Sequence, residues 1–523
     1  MKVKMLGVAL LLVAATTLHG QQRPQAAASA PALTALDYYE IHQVYVRFNH
    51  ALDSAEDAGG AFANTFTADG TLVTLSGNRY QGRDQLAAFA REDADKRKGP
   101  SNVGHYVTSV ALDGTAAGAM GHGYLLESTV LPPAAAGRPA TRAVTEGGAF
   151  WDELVRTPEG WRIKSRTLVR PNAPAPALAP AAAPATATAS SAMPHPLTAQ
   201  DYADITQLFS LFGYTFDSAS ENGYQWANLY TPDGVFVAGS VVASMRGRET
   251  LASFAAGRLA FPNGFATLTP GPGTPHNPLA IAHILTDVQI DPAPDGAIAR
   301  LYRLNAGIGA DGRSNLGIGG VYNVLLSRTP EGWRFKENWY VGPGAQVPEG
   351  AKRFLATAGQ PLGPTVTPRD KAQPLTVTAE DDAAIRQLYA RYTHAIDSGA
   401  DNGAALARLF TPDGVVLDTW TSKVYSGSEQ ISALARENAR GKSATNMSQF
   451  VWTIKVEAAP QGATGKAYVM TGALQEPGKP IVMTNGGQYW DDLVKTSDGW
   501  RFKKRTFYRS TQTPPPAQAG ATN

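Results

Sequence analysis

The chain of 523 residues contains no cysteine, which excludes disulfides, thiolate metal sites, thiol nucleophiles and lipoprotein anchors. Its 46 Lys and Arg residues are dispersed and nearly balance its 44 Asp and Glu residues, giving a net charge of +2. A chain without a basic run or a strongly positive charge is not expected to bind nucleic acid. It also lacks the H-E-x-x-H pattern and other metal-ligand spacings, so we expect neither a metal nor another cofactor.

Long apolar runs are also absent, apart from a short one near the N-terminus. Residues 5–15 are apolar, follow Lys2 and Lys4, and precede small and polar residues. This order predicts a signal peptide over residues 1–22, because the run is shorter than the roughly 20 residues of a membrane-spanning helix. We therefore expect a periplasmic or secreted protein with no stable membrane insertion after cleavage. An uncleaved membrane anchor is the alternative.

One sequence pattern occurs three times along the chain. Each copy has an aspartate, then sixteen positions later a second aspartate in an Asp-Gly turn, and then a Gly-Gly pair fourteen residues before a Gly-Trp turn. The positions are Asp53, Asp69, Gly147 and Trp161 in the first copy, Asp217, Asp233, Gly319 and Trp333 in the second, and Asp397, Asp413, Gly486 and Trp500 in the third. Spacing this constant predicts three equivalent domains.

The domain boundaries follow from composition. The predicted domains are residues 33–170, 196–345 and 374–512. Residues 171–195 are rich in Ala, Pro and Thr and predict a semi-extended linker, whereas residues 346–373 predict a second, partly ordered linker. The tail at residues 513–523 is expected to be disordered.

Periodicity predicts the same order of elements in each copy. Apolar residues at helical spacing indicate a long N-terminal amphipathic helix, as at Ile385, Leu388, Tyr392 and Ile396. Two shorter helices and an extended segment follow, and the remainder alternates as strands do. We therefore predict an α+β fold of three tandem cone-shaped barrels. In each, a curved antiparallel sheet would wrap around the long helix and enclose an apolar cavity.

The motifs resemble those of the SnoaL-like family, part of the nuclear-transport-factor-two-like superfamily. The resemblance is carried by the Ala-(Leu/Ile)-Asp-Ser phrase, the Thr-Pro-Asp-Gly turn, the Gly-Gly-x-(Phe/Tyr) strand and the closing Gly-Trp-Arg strand. It covers nearly all of the three predicted domains. The superfamily includes dehydratases, isomerases, cyclases, epoxide hydrolases and plain binding or scaffold domains, so the resemblance predicts fold rather than activity.

Candidate catalytic residues emerge when the copies are aligned. His105 and His283 occupy one column, which a threonine three positions later marks in both copies, and Gln449 occupies it in the third. An imidazole titrates near neutrality, so it can accept and donate protons at working pH. A neighbouring carboxylate would fix its tautomer and stabilise its charged form.

An aspartate with two histidines in these places resembles the residue set of scytalone dehydratase. The resemblance implies that carboxylate and imidazoles hold a water molecule or transfer protons directly. Carried over, the catalytic set is Asp53, His105 and His122 in the first copy and Asp217 with His283 in the second, leaving only Asp397 in the third. We place His122 near the column of Tyr302 and Tyr468. Alternatively, an Asp-Ser pair at a helix end is a local cap and His122 is structural.

Three functions remain open for this sequence. It is an exported dehydratase or isomerase acting on a small hydrophobic or ring-containing molecule with an Asp–His pair, a protein that binds such a molecule without turnover, or a protein-interaction scaffold. Since the pocket columns differ among the copies, we expect one or two active copies at most. We also expect two repeats to pair within the chain and the third to pair between chains in a homo-oligomer.

Overall fold

The structure, a computed structural model, describes most of the three predicted domains. The described residues are 32–96, 103–131, 141–170, 197–238, 243–257, 281–308, 314–342, 345–360, 377–445, 447–473 and 481–509. The predicted signal peptide, the linker at residues 171–195 and the C-terminal tail lie outside them. Within these ranges no helix is both long enough and apolar enough to cross a membrane.

The three repeats share one order of elements. The first contains α1 (Ala35–Ser54), α2 (Gly60–Ala63), β1 (Phe66–Val73), β2 (Arg79–Gln81), α3 (Gly82–Lys96), β3 (Val103–Thr115), β4 (Gly118–Leu131), β5 (Thr141–Thr157) and β6 (Gly160–Val169). The second contains α4 (Ala199–Ser218), α5 (Tyr224–Ala227), β7 (Tyr230–Ala238), β8 (Ala243–Arg246), α6 (Arg248–Ala255), β9 (Ile281–Ala293), β10 (Gly296–Ile308), β11 (Ser314–Thr329), β12 (Gly332–Val341) and α7 (Glu349–Leu355). The third contains α8 (Ala379–Ser398), α9 (Ala404–Ala407), β13 (Phe410–Asp418), β14 (Lys423–Ser426), α10 (Gly427–Thr445), β15 (Met447–Ala459), β16 (Gly462–Ala473), β17 (Val482–Thr496) and β18 (Gly499–Arg509).

Each repeat builds one six-stranded sheet against its long helix. In the first repeat the strand order is β2-β1-β6-β5-β4-β3, and the other repeats have the equivalent order. Neighbouring strands are antiparallel except β1 and β6, which are parallel, and the same exception recurs in each copy. The predicted α+β cone is therefore confirmed. The sheet, however, is mixed rather than antiparallel, and among the described residues it stays open instead of closing into a barrel.

The start of each long helix is tied to the end of its sheet. Thr34 caps α1 in a capping box with Asp37, and Trp161 Nε1 donates to Asp37 Oδ1 at 3.1 Å. Trp333 and Trp500 make the same bond in the other two copies, to the third helical residue of α4 and α8. The Gly-Trp hairpin is therefore repeated because it anchors the helix on which the candidate aspartate lies.

The three repeats form a closed ring, in which each long helix packs on a strand of the following repeat. Helix α1 lies against β9, α4 against β15, and α8 against β3. A buried apolar cluster contains residues from all three copies, among them Leu126, Ile284 and Phe450. All three repeats therefore pack on one another within the chain, whereas the expectation was that only two would pair; pairing between chains in a homo-oligomer stays a prediction.

A glutamine at the same position of each long helix fixes the ring contacts. Gln43 Nε2 donates to Val288 O at 3.0 Å, and its Oε1 accepts from Ile290 N at 2.8 Å. Gln207 and Gln387 bind the backbone of β15 and β3 in the same way. The side-chain amide therefore satisfies backbone groups on the strand of the neighbouring repeat.

The second predicted linker is partly structured. Helix α7 falls within residues 346–373, and its Ala351 and Phe354 pack against Ile298 and Leu325 of the second repeat. The chain thus covers one face of the second sheet before it continues toward the third repeat.

Candidate functional site

The strand that carries the histidine column contains a bulge in each repeat. Four residues after the column, Ser109, Asp287 and Thr453 have left-handed φ values of 55°, 53° and 51°. The strand register shifts at these positions, and a bulge of this kind bends its strand. The column residue ahead of the bulge can then point into the cone of its own repeat, while the bulge itself contacts the helix of the preceding repeat.

In the first repeat the structure brings Asp53 and His105 together. His105 Nδ1 lies 2.5 Å from Asp53 Oδ1, and His105 N donates to Asp53 Oδ2 at 3.0 Å. The two residues are only 4% and 6% exposed. Because an ionised carboxylate can only accept, Nδ1 carries the proton in this contact and Nε2 is the basic nitrogen. Asp53 thus lies behind the imidazole and orients it.

His105 is part of the wall of a cavity of about 270 Å³ in the first repeat. The apolar part of its wall includes Phe48, Leu52, Leu72, Leu125 and Leu168. The polar part includes His105, Glu127 and Glu146, and Glu127 Oε2 lies 3.6 Å from His105 Nε2. Burial, together with the neighbouring Glu127, raises the pKa of Glu146. The cavity therefore combines an imidazole, a carboxylate and a carboxyl group that holds its proton more firmly than usual.

The second repeat has the same pair in a different environment. Asp217 contacts His283 Nδ1 and accepts from its backbone N at 2.8 Å. Burial lowers the pKa of His283, against the opposing effect of Asp217. The ring of Phe216 lies 5.0 Å from the imidazole, and the guanidinium of Arg303 lies 4.8 Å over Tyr340. An aromatic ring and the guanidinium of Arg303, which acts with burial to lower the pKa of His283, thus accompany this imidazole, whereas His105 has the carboxyl groups of Asp53 and Glu127 beside it.

The third repeat keeps the aspartate contacts without an imidazole. Asp397 Oδ2 accepts from Gln449 N at 3.0 Å. The Gln449 side chain accepts instead from Tyr489 OH at 2.9 Å. The aspartate column is therefore retained where proton transfer by a histidine is impossible.

Each aspartate also accepts a hydrogen bond from a tyrosine of the following repeat in the ring. Tyr302 OH donates to Asp53 Oδ2 at 2.6 Å, and Tyr468 OH donates to Asp217 Oδ2 at 2.6 Å. Tyr124 OH closes the ring by donating to Asp397 Oδ2 at 2.9 Å. Because no single repeat contains both partners, every one of these aspartates lies at a boundary between repeats.

His122 does not join the Asp53–His105 pair, which corrects the sequence-based assignment. It stacks on Trp151 at 4.6 Å and lies 3.7 Å from the ring of His394 in the third repeat. Burial lowers its pKa to about 4. Successive side chains alternate between the faces of a strand, so His122 and Glu127, five residues apart on β4, face opposite sides. Glu127 is the residue that β4 contributes to the cavity.

The sequence did not reveal Glu127 and Glu146 as residues of the site, and it named Tyr302 only as the marker of a column, without its contact to Asp53. A signal for the tyrosine is present, since a tyrosine follows the histidine column by nineteen residues in every copy, at Tyr124, Tyr302 and Tyr468. His122, which we placed near this column, precedes its member Tyr124 by two positions. The glutamates carry no such signal, because the counterparts of Glu127 on β10 and β16 are Asn305 and Thr471.

A second cavity, of about 170 Å³, lies where the three repeats meet. Asp287 is part of its wall and accepts from Asn49 Nδ2 of the first repeat at 2.6 Å. Burial raises the pKa of Asp287 to about 7. Within the described part of the chain, no three His, Asp or Glu side chains are grouped closely enough to hold a metal ion.

A family model described as a SnoaL-like domain matches the chain three times, over residues 34–167, 197–338 and 377–506. Among solved structures, Aln2 from a Streptomyces species is 24% identical, with 24% of this chain and 88% of that chain covered and a TM-score of 0.22. An NTF2-like protein with a cystatin-like fold from Novosphingobium aromaticivorans is 20% identical, with 30% and 88% covered and a TM-score of 0.23. ActVI-ORFA from Streptomyces coelicolor is 20% identical, with 24% and 95% covered and a TM-score of 0.22. No curated protein matches the chain.

Proposed function

The chain belongs to the SnoaL-like domain family, and from that premise we propose that its first repeat binds a small hydrophobic or ring-containing molecule and transforms it as a dehydratase or isomerase. The observation that carries the proposal is the Asp53–His105 pair beside a cavity of about 270 Å³. We further propose that residues 1–22 direct export, so that this chemistry takes place in the periplasm or outside the cell. No cofactor is part of the proposed reaction.

The proposed chemistry is general acid–base catalysis by His105. Its Nε2 removes a proton from the bound molecule, while Asp53 keeps the Nδ1 proton and stabilises the imidazolium. Glu146, whose pKa is raised by burial, is suited to return a proton. Delivered to a second carbon, that proton completes an isomerisation; delivered to a departing hydroxyl, it completes a dehydration with release of water. The apolar wall strengthens both steps by excluding solvent.

The three repeats would contribute unequally to this function. The second has the Asp217–His283 pair, so we propose it as a weaker or differently selective site. The third has Gln449 in the histidine column, so we assign it to binding or to the support of the ring. The alternative for the whole chain is a binding protein or scaffold without turnover, and the intact Asp397 contacts of the third repeat favour it.

Ligand capture followed by a variant series tests the proposal. Native mass spectrometry of the full chain identifies a retained molecule, and its conversion is then assayed with the wild type and with His105→Gln. We expect His105→Gln to slow conversion by roughly a hundredfold or more with little change in affinity, because a proton shuttle is removed and the cavity wall is kept. His283→Gln should have a smaller effect.

The matched control is His122→Gln, which changes a partly buried histidine of the same repeat that lies outside the cavity. Its rate should stay close to that of the wild type. If His105→Gln converts the ligand at the wild-type rate, the catalytic proposal is refuted and the binding-protein alternative is favoured. Equal losses in His105→Gln and His122→Gln would point to a general loss of structure instead.

A further inference from the structure

We infer that Tyr302 and Tyr468 are positioning residues for the imidazoles of His105 and His283, so that each site is completed by the following repeat of the ring. The inference deepens the proposed function and rests on its assignment of His105 as the proton-transfer group. It concerns groups outside the cavity wall, which act through the aspartates rather than by touching a ligand.

The geometry around Asp53 supports this role. Its Oδ1 faces His105 Nδ1, while its Oδ2 accepts from both His105 N and Tyr302 OH. These three contacts hold the carboxylate in one orientation, with one oxygen directed at the imidazole. Loss of the tyrosine hydroxyl would remove a donor from Oδ2 and leave the contact between Oδ1 and the imidazole in place.

The tyrosine is itself held firmly across the boundary between repeats. Its ring lies 4.4 Å from the ring of His50 and 5.4 Å, edge to face, from the ring of Tyr106, both in the first repeat. Burial and the adjacent Asp53 raise the pKa of Tyr302 well above its ordinary value. The hydroxyl therefore remains protonated and acts as a permanent donor to the carboxylate.

The second site has an equivalent arrangement that uses the third repeat. Tyr468 donates to Asp217, and its ring stacks on that of Tyr214 at 4.6 Å. This gives the third repeat a role that its own Gln449 cannot supply: it completes the site of its neighbour. A single excised repeat would contain an aspartate without the tyrosine that orients it.

The expected electrostatic effect has a definite sign. A donor to Oδ2 withdraws part of the negative charge that would otherwise act on the imidazole. Replacement of the tyrosine by phenylalanine removes that donor and keeps the ring. The carboxylate should then stabilise the imidazolium more strongly, so that the histidine titrates at a higher pH.

The test uses the full chain with ¹⁵N-labelled histidine, and NMR follows each imidazole through a pH titration. Resonances are assigned with His105→Gln and His283→Gln. Tyr302→Phe should raise the titration midpoint of His105 by about half a pH unit or more and leave His283 unchanged. Tyr468→Phe should do the reverse. Tyr124→Phe, the matched control, removes the equivalent hydroxyl from Asp397 and should move neither histidine.

A second measurement covers an imidazole that does not titrate before the protein unfolds. The proton on Nδ1, which is hydrogen-bonded to the aspartate, should change its chemical shift only in the site whose tyrosine is replaced. Unmoved histidines in Tyr302→Phe and Tyr468→Phe, or the same shifts in all three variants, would overturn the inference and leave the tyrosines as structural contacts.

The result is distinguishable from failure of the proposed function. Selective histidine shifts without any ligand turnover would support the positioning role and refute catalysis. Turnover that depends on His105 but not on Tyr302, with unmoved resonances, would refute positioning and support catalysis.

Discussion

The first and third repeats have the same fold and hold their aspartates in the same way, yet only the first has an imidazole beside it. Asp53 and Asp397 each accept from the backbone N of the column residue and from a tyrosine of the following repeat. The difference lies in the side chain of that column residue, which is His105 in one repeat and Gln449 in the other.

The aspartate therefore serves two separable purposes. Its contacts with a backbone amide and a tyrosine join neighbouring repeats and are present whether or not a histidine follows. Its contact with an imidazole is added in the first two repeats. The acidic wall of Glu127 and Glu146 is a further addition, found in the first repeat only among the sites described. An aspartate at the end of the long helix is therefore not enough to identify a catalytic repeat in this chain.

The largest expected effect concerns a buried arginine–aspartate ion pair that the first and third repeats share. Arg166 binds Asp152, and Arg505 binds Asp491, with every side chain fully buried. We expect Arg166→Met or Arg505→Met to lower the free energy of unfolding by about 3–5 kcal/mol, because each strands a buried carboxylate. Denaturant unfolding measures the loss.

The second repeat provides the matched control for these variants. It has Phe209, Val324 and Asn338 where the first has Tyr45, Asp152 and Arg166. The triple variant Tyr45→Phe, Asp152→Val, Arg166→Asn should therefore lose clearly less stability than Arg166→Met alone. A larger loss of stability in the triple variant than in Arg166→Met would contradict this expectation. It would show that the Asp152–Arg166 pair stabilises the first repeat by more than the neutralisation of two buried charges.

A smaller effect separates the two purposes of the aspartate. Asp397→Ala should lower the free energy of unfolding by about 1–3 kcal/mol, since Tyr124 OH and Gln449 N lose their acceptor. It should not change any activity that depends on His105. Adding Tyr124→Phe to Asp397→Ala should lower the free energy of unfolding by less than Tyr124→Phe does in the wild type. A double-mutant cycle measures this difference. Additive losses would mean that the 2.9 Å bond contributes nothing to stability.

The smallest effect concerns the contacts between repeats. At the bulge, His50 Nε2 donates to Asp287 O at 2.9 Å, and His394 Nε2 donates to Ser109 O at 2.7 Å. Only the first of these contacts places a carboxyl group at the bulge. Since burial raises the pKa of Asp287 to about 7, the folded protein retains a proton that the unfolded chain has already released.

The sign of the pH dependence follows from that raised pKa. The contribution of Asp287 to stability is fully present below its unfolded pKa of about 3.9 and is lost as the pH rises through about 7. The free energy of unfolding of the wild type should therefore fall more steeply between about pH 4 and pH 7 than that of Asp287→Asn, as thermal unfolding measured at each pH would show. Ser109→Ala should keep the wild-type slope. Parallel curves for the wild type and Asp287→Asn would contradict the assignment.

Much of the architecture could be predicted from local patterns. Three equal spacings indicated three copies, helical and strand periodicity indicated an α+β cone, and the aligned copies placed His105 and His283 in one column, which the family resemblance paired with Asp53 and Asp217. These inferences depend on contacts within one repeat, where sequence spacing translates directly into positions on a helix or strand. The family motifs added the fold, which the three matched segments confirm.

The assignment of His122 to the catalytic set was wrong because of how strands β3 and β4 pair. A bulge in β3 shifts its register against β4 between Thr108 and Ala111, so the cross-strand partner of a residue cannot be counted from sequence alone. His105 is opposite Glu127, while His122 is opposite Ala111 beyond the bulge. His122 and Glu127 are five residues apart on β4 and therefore lie on opposite faces, so that only Glu127 faces the cavity with His105.

Periodicity and the constant spacing of motifs in the chain are enough to specify the three repeats and the cone of each repeat, and the family resemblance added the Asp–His pairs. The closure of the repeats into a ring, the binding of Gln43 to the next strand and the reach of Tyr302 to Asp53 emerge only in the folded molecule. Those contacts join residues about 250 positions apart, as the separation of 249 between Tyr302 and Asp53 illustrates. Such pairs are set by the packing of whole apolar faces, which no local pattern in the chain specifies.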